Sequence, residues 1–168
     1  MLEIQESHSD KRILFGIPQV VFSVMVVSSR VIASDVIDGI ALDRESLCSL
    51  LPRVNPETIF IREAPIWFQF IWGRKVAAIA LPWGIYARPY VMARLRSGIE
   101  LRRNARLIVH ELVHIEQWRR FGVLRFVIRY FFDYMRGLLR TGSHWKAYRS
   151  VRTEVEARVA ARLIVRED

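Results

Sequence analysis

The sequence predicts an α+β fold in which a small mixed or antiparallel sheet precedes the helices, and three observations predict it. Short runs rich in β-branched and aromatic residues fall before residue 90, separated by turn signals at Ala64-Pro65, Gly73 and Pro82-Trp83-Gly84. Stretches of helical apolar periodicity follow, centred on residues 112, 130 and 155. Strands first and helices afterwards is the order of an α+β chain. At 168 residues, 52 % of them hydrophobic, the chain is long enough for one core and too apolar to be disordered.

Residues 1–12 are polar and mixed in charge, and Ile13 to Ser29 form a run of seventeen uncharged residues. A bilayer span needs about twenty, and this run contains Gly16, Pro18, Gln19 and Ser23. Residues 1–39 therefore read as an apolar segment that is a core element first and a membrane-associated one second. A cleaved signal peptide fits less well, because Glu3, Glu6 and Asp10 oppose a positive leader. Residues 40–168 read as the folded domain.

Within it, Asp43 to Leu51 predict a short helix with Asp43 as N-cap. The single cysteine, Cys48, excludes an internal disulfide and a cysteine ligand set, and reads as a buried small hydrophobe. Strands are expected at 58–62, 66–72, 76–81 and 85–87. Asn104 is the candidate N-cap of a helix that runs to Phe121, where Gly122 supplies the stop. Leu107, Ile108, Leu112, Ile115 and Trp118 give that helix its apolar stripe. Val123 to Arg140 predict a second helix whose arginines, Arg125, Arg129, Arg136 and Arg140, fall within about 60° on a helical wheel. Nearly all the rest of its circumference is apolar. Such a helix suits a membrane interface, although packing into the domain with one wet face is the first expectation. A last helix is expected from Ser143 to Val165, with Val151, Val155 and Val159 as its stripe.

The chemistry is concentrated in His110-Glu111-Leu112-Val113-His114, which holds two of the four histidines. On a helix, residues i and i+4 lie about 5–6 Å apart between Cβ atoms. Two imidazoles so placed can share one tetrahedral zinc ion. Glu111 sits about 100° round the helix, where a carboxylate reaches a metal-activated water as general base. An apolar helix carrying His, Glu and His needs something to satisfy them, because unpaired burial is costly.

The third ligand is not fixed by spacing. Gln117 and Arg120 stand where an HExxHxxGxxH pattern would place its glycine and last histidine. Asp133 lies nineteen residues after His114, but shares a helical face with Arg129 and Arg136 and reads as their ion-pair partner. Glu154 and Glu156 flank the last helix's stripe on opposite sides, and geometry alone does not choose between them.

HELVHIEQ followed by ExEA on a later helix resembles the zincin-type zinc metallopeptidase domains of bacteria that carry HExxHxxQ. It is more distantly similar to the gluzincins that include the CAAX prenyl proteases and heat-shock membrane proteases. Gly73 to Pro89 resemble the short strand pair such domains place before the active helix. The resemblance covers about residues 40–165. It implies a zincin-like fold with an active-site helix and two further helices, one zinc ion on His110, His114 and Glu154, and Glu111 as base. It further implies hydrolysis of a peptide or protein that pairs with an edge strand above the active helix. The acidic residue expected after Ala157 is Arg158 here, which sets the chain apart from the prenyl-protease branch. Gln117 and Glu116 are candidates to orient the ligands, and Tyr148 and His144 are candidate donors to a developing oxyanion.

A net charge of +9, with fifteen basic and five acidic residues between Arg102 and Arg166, favours an anionic surface as partner. Nucleic acid is the weaker expectation, because no recognised binding module is present. The expected location is cytoplasmic or membrane-associated. The alternative to an enzyme is a zinc-binding or membrane-associated interaction module without catalysis, its site closed by His144 or Glu156.

Overall fold

A computed structural model describes residues 30–40, 42, 44–67 and 76–165. The uncharged run 13–29 and Asp43 lie outside these residues, as do residues 68–72 of the expected strand 66–72. Ile66 and Trp67 are helical and exposed. The strands are β1 (Arg30–Ile32), β2 (Phe60–Glu63), β3 (Ala78–Leu81) and β4 (Gly84–Ala87). The α-helices are α1 (Ala33–Asp38), α2 (Arg44–Leu50), α3 (Pro89–Ser97), α4 (Leu101–Phe121), α5 (Val123–Thr141), α6 (His144–Ser150) and α7 (Arg152–Ile164).

The chain is mixed α+β, with a small sheet on its N-terminal side as expected. The sheet runs β1-β2-β4-β3 and is mixed, because β2 and β4 are parallel while the two outer pairs are antiparallel. Pro82 and Trp83 make the two-residue turn of the β3–β4 hairpin, with Leu81 opposite Gly84. Alternation along β3 buries Ala78 and Ala80, and α4 packs against that strand. Small side chains there let helix and strand approach closely.

Helix α4 is the axis of the core. Ala105, Ile108, Leu112 and Ile115 are fully buried. They share one cluster with Ile37 of α1, Ile61 and Ile85 of the sheet, Met92 of α3 and Ala157 and Ala161 of α7. Full burial of an Ile or Leu is worth about 1.5–3 kcal/mol, so this face alone anchors the helix. Residues 30–38, the end of the N-terminal apolar segment, belong to the same core through Ala33, Val36 and Ile37.

Several expectations are corrected. Helix α4 starts at Leu101, after Glu100 in the left-handed region, so Asn104 is not its cap. Asn104 is instead buried, accepting from Arg94 Nε at 2.7 Å and donating to the Ile99 carbonyl at 2.8 Å, which ties α4 to the end of α3. The expected last helix is two helices, because Val151 leaves helical geometry at ψ 129°. With α3, a further helix that was not expected, five helices follow the sheet among the described residues, not three. The break resets the helical phase. Val151 is buried, but Val155 and Val159 are 41 % and 51 % exposed, and Thr153, Glu154, Ala157, Ala160 and Ala161 are buried in their place. Cys48 is exposed, because α2 buries only Leu47. Helix α5 is not deeply packed: Phe126 and Gly137 are its buried residues.

Gly137 marks where α5 and α6 touch. A Cβ there would lie 2.6 Å from Ser150 Oγ and 3.0 Å from Ala147 Cα. Gly137→Ala is expected to push the helices apart and to destabilise the fold by about 1–3 kcal/mol. Leu112→Ala in the core should cost about 2–5 kcal/mol. Urea unfolding followed by circular dichroism measures both, and an unchanged midpoint for Gly137→Ala would show that α5 and α6 do not pack this closely.

Candidate metal centre

The α4–α7 packing brings the motif to its third partner. His110 and His114 stand one turn apart on α4, and Glu154 comes from the first turn of α7. His110 Nε2 and His114 Nε2 are 3.2 Å apart, and Glu154 lies 3.5 Å from the first through Oε2 and 3.4 Å from the second through Oε1. Four ligands on metal bonds of about 2.0–2.1 Å are separated by roughly 3.3–3.4 Å in a tetrahedron. The two histidine nitrogens, 3.2 Å apart, match one such edge, and one ligand atom from each of the three residues lies within 4.8 Å of the others. Glu154 Oε2 is buried without a hydrogen-bond partner, a costly arrangement unless a cation takes its lone pair. A metal ion therefore fits these residues, which are the candidate ligand group among the described residues.

The break at Val151 matters here. Positions 148 and 154 would be about 120° apart on an unbroken helix. Split between α6 and α7, Tyr148 and Glu154 line the same cleft. This cleft, of about 520 Å³, is floored by His110, Glu111 and His114 and walled by β3 and by Phe126, Val127, Tyr130 and Phe131 of α5. Its lining is largely apolar.

Gln117 sets the tautomer of His114. Its Nε2 donates to the Thr153 carbonyl at 3.1 Å and to Glu156 at 3.0 Å. Its Oε1 thus faces His114 Nδ1, 2.8 Å away, and that nitrogen must carry the hydrogen. The lone pair that ligates a metal then belongs to Nε2, the atom facing His110 and Glu154. Gln117, not Glu116, orients His114. Glu116 accepts from the backbone N–H and the guanidinium of Arg53, both at 2.9 Å. Glu156 is not in the ligand cluster and holds Gln117 from outside.

The remaining candidates separate in the same way. Asp133 pairs with Arg152 of α7 rather than along its own helix, accepting the Arg152 N–H at 3.3 Å. His144 is exposed, with its Nδ1 2.5 Å from the Tyr134 hydroxyl. Arg158, at the position of the expected acid, donates to the Arg149 carbonyl and contributes with Arg94, Arg103, Arg106 and Arg162 to a second cleft on the far side of His110.

Burial raises the pKa of Glu111, and the nearby His110 and His114 offset this only in part. Burial would also raise Glu154, but the close approach and charge of both histidines outweigh it and hold its carboxyl well below the usual range. For His114, burial acts downward and is overcome by Glu154, Glu111 and Gln117, so its pKa is raised. Tyr130 and Tyr148 are both raised, by burial first and then by the Glu154 carboxylate, so both keep their protons at neutral pH.

Sequence reasoning missed Tyr130, which sits sixteen residues after His114 among other aromatics and carries no local signal. It also missed the use of Ala80, whose carbonyl accepts from Trp118 Nε1 at 3.1 Å and whose backbone hydrogen-bonds to Glu111. No family model, no curated protein and no solved structure matches the chain.

Gln117→Ala should leave the fold in place and weaken metal affinity by about 10–100-fold, read by competition with a chromophoric chelator. Affinity equal to wild type would mean that His114 keeps its orientation without Gln117. The raised pKa of His114 gives a sign for pH. A proton must leave Nε2 before it can ligate, so affinity should fall as pH drops through that raised pKa, by roughly tenfold per unit below it. The same titration repeated from pH 8 to pH 6 checks this, and a flat profile would exclude His114 as a ligand.

Proposed function

We propose that this chain is a zinc-dependent metallopeptidase. The observation that carries the reading is the convergence of His110, His114 and Glu154, one ligand atom from each within 4.8 Å of the others, in a cleft that also holds Glu111. Two neutral imidazoles and one carboxylate form the donor set of catalytic zinc sites, which leave a position open. A zinc ion bound there would polarise a scissile carbonyl and lower the pKa of a water to about 7.

The chain's own residues have distinct tasks. Glu111 is buried beside the two histidines, and burial raises its pKa, which makes its carboxylate a better proton acceptor. It takes a proton from the attacking water and returns it to the leaving amine. Tyr148 lines the same cleft and remains protonated, which makes it a donor to the oxyanion that develops on the carbonyl. His144, turned to Tyr134, is less suited to that task.

Strand β3 is an edge of the described sheet and borders the cleft. Ala80 directs its backbone toward α4, so Ala78, two residues earlier, directs its own the same way. The Ala80 carbonyl is already taken by Trp118, so pairing with an extended peptide centres on Ala78. The apolar lining favours apolar side chains next to the scissile bond. A zinc site without catalysis has less support, since it needs a fourth protein ligand, and Glu156 and His144 are both engaged elsewhere.

Elemental analysis should find about one zinc per chain, lost in His114→Ala and in Glu154→Ala. Glu111→Gln should keep zinc while peptide cleavage falls by several orders of magnitude. Tyr148→Phe should keep zinc and lower kcat by about 10²–10³-fold. Full turnover in Glu111→Gln would remove Glu111 from its role. Zinc retained in Glu154→Ala would move the third ligand elsewhere.

A further inference from the structure

Helix α5 presents an apolar face to the outside. Its buried residues, Phe126 and Gly137, lie within about 20° of each other on a helical wheel. Leu124, Ile128, Phe131, Phe132 and Leu139 fan over about 100° centred on the opposite side. All five are exposed, Phe132 to 66 % and Leu139 to 84 %. This is the reverse of a surface helix, which turns its apolar stripe inward and its polar face outward.

One border of this face is the stripe of Arg125, Arg129, Arg136 and Arg140. Arg136 and Arg140 share one shallow depression with Phe131, Phe132, Met135 and Leu139. The other border, at Val127 and Phe131, is the wall of the metal-site cleft. The outer face is thus continuous with the cleft mouth on one side and flanked by guanidinium groups on the other.

We propose that α5 is a membrane-docking helix that lies in the surface of an anionic bilayer. Its apolar face enters the acyl boundary and its arginine stripe meets lipid phosphates, so the cleft opens at the lipid surface. Charge selects this occupant over the others. A second copy would bring two arginine stripes together, with Asp133 the one carboxylate on the helix and already paired with Arg152. Residues 13–29 carry no charge and so offer the stripe nothing. An anionic bilayer supplies both an apolar layer and negative headgroups. No helix among the described residues is long and apolar enough to cross a membrane, which accords with a helix lying in the interface. With the metallopeptidase reading, and resting on it, the same geometry makes apolar peptide segments at a bilayer surface the substrate class.

The test is sedimentation of the full chain with vesicles of phosphatidylcholine, with and without phosphatidylglycerol, and needs no cleavage assay. The wild type should bind the anionic vesicles at least about tenfold more strongly than the neutral ones, and rising salt should release it. Phe132→Glu with Leu139→Glu should lower binding by tenfold or more while zinc content stays that of wild type. If that pair also lost zinc, Arg125→Gln with Arg136→Gln and Arg140→Gln decides, and should abolish the anionic preference. Undiminished binding in these variants would overturn the proposal by placing the lipid contact elsewhere in the chain. So would absent vesicle binding, whether the protein is monomeric or a dimer that Phe132→Glu with Leu139→Glu dissociates. Zinc content is read separately, so failure of docking and failure of the zinc site are distinguishable.

Discussion

A carboxylate from one helix held against two imidazoles of another, inside an apolar core, is the constraint around which the remainder of the chain is arranged. Glu154 is buried at the meeting of α4 and α7, and burial of a charge is tolerated only with compensating partners. The two histidines supply part of that compensation, and one carboxylate oxygen remains without a hydrogen-bond partner. Helices that bring such groups together must be clamped by other forces. Here the clamp is the apolar face of α4, packed against α1, the sheet and the alanines of α7. The hydrophobic contacts hold the polar site in place, and the site does not have to contribute to that stability.

The clamp has fine adjustments. Gln117 joins His114 to the backbone of α7 and to Glu156, so one amide fixes ring orientation and helix position together. Ala80 joins the sheet to the same helix through Trp118 and Glu111. Each of these contacts links a site residue to a different element. Displacement of any one element would therefore be felt at His110, His114 and Glu154, which is how a small domain holds a precise geometry.

Helix α5 connects the site to the exterior. Its inner side supplies Phe126, packed at a tilt against Trp118 with ring centroids 4.0 Å apart, and Tyr130 beside Glu154. Its outer side carries the exposed aromatic and aliphatic residues. This departs from the usual surface helix, which buries one apolar stripe and exposes a polar face. Gly122, with φ 74°, ends α4 and starts α5 at a sharp change of direction that a residue with a side chain would resist.

The sequence by itself determined the small sheet ahead of the long helices, the helical spacing of His110, Glu111 and His114, the stop at Gly122 and the arginine stripe of α5. Each depends on a local rule of periodicity, turn chemistry or spacing along one helix. It did not determine where the last helix breaks, because Val151 carries no glycine or proline signal and its non-helical geometry comes from the packing around it. That break decided which residues of α7 are buried. Through them the tertiary structure brought Glu154 rather than Glu156 beside the two histidines, Gln117 rather than Glu116 to His114, and Arg152 rather than Arg129 or Arg136 to Asp133. It also turned the apolar face of α5 outward. The physical reason is the same in each case: a helical wheel fixes which residues share a face, and only the packing of other elements decides what that face meets.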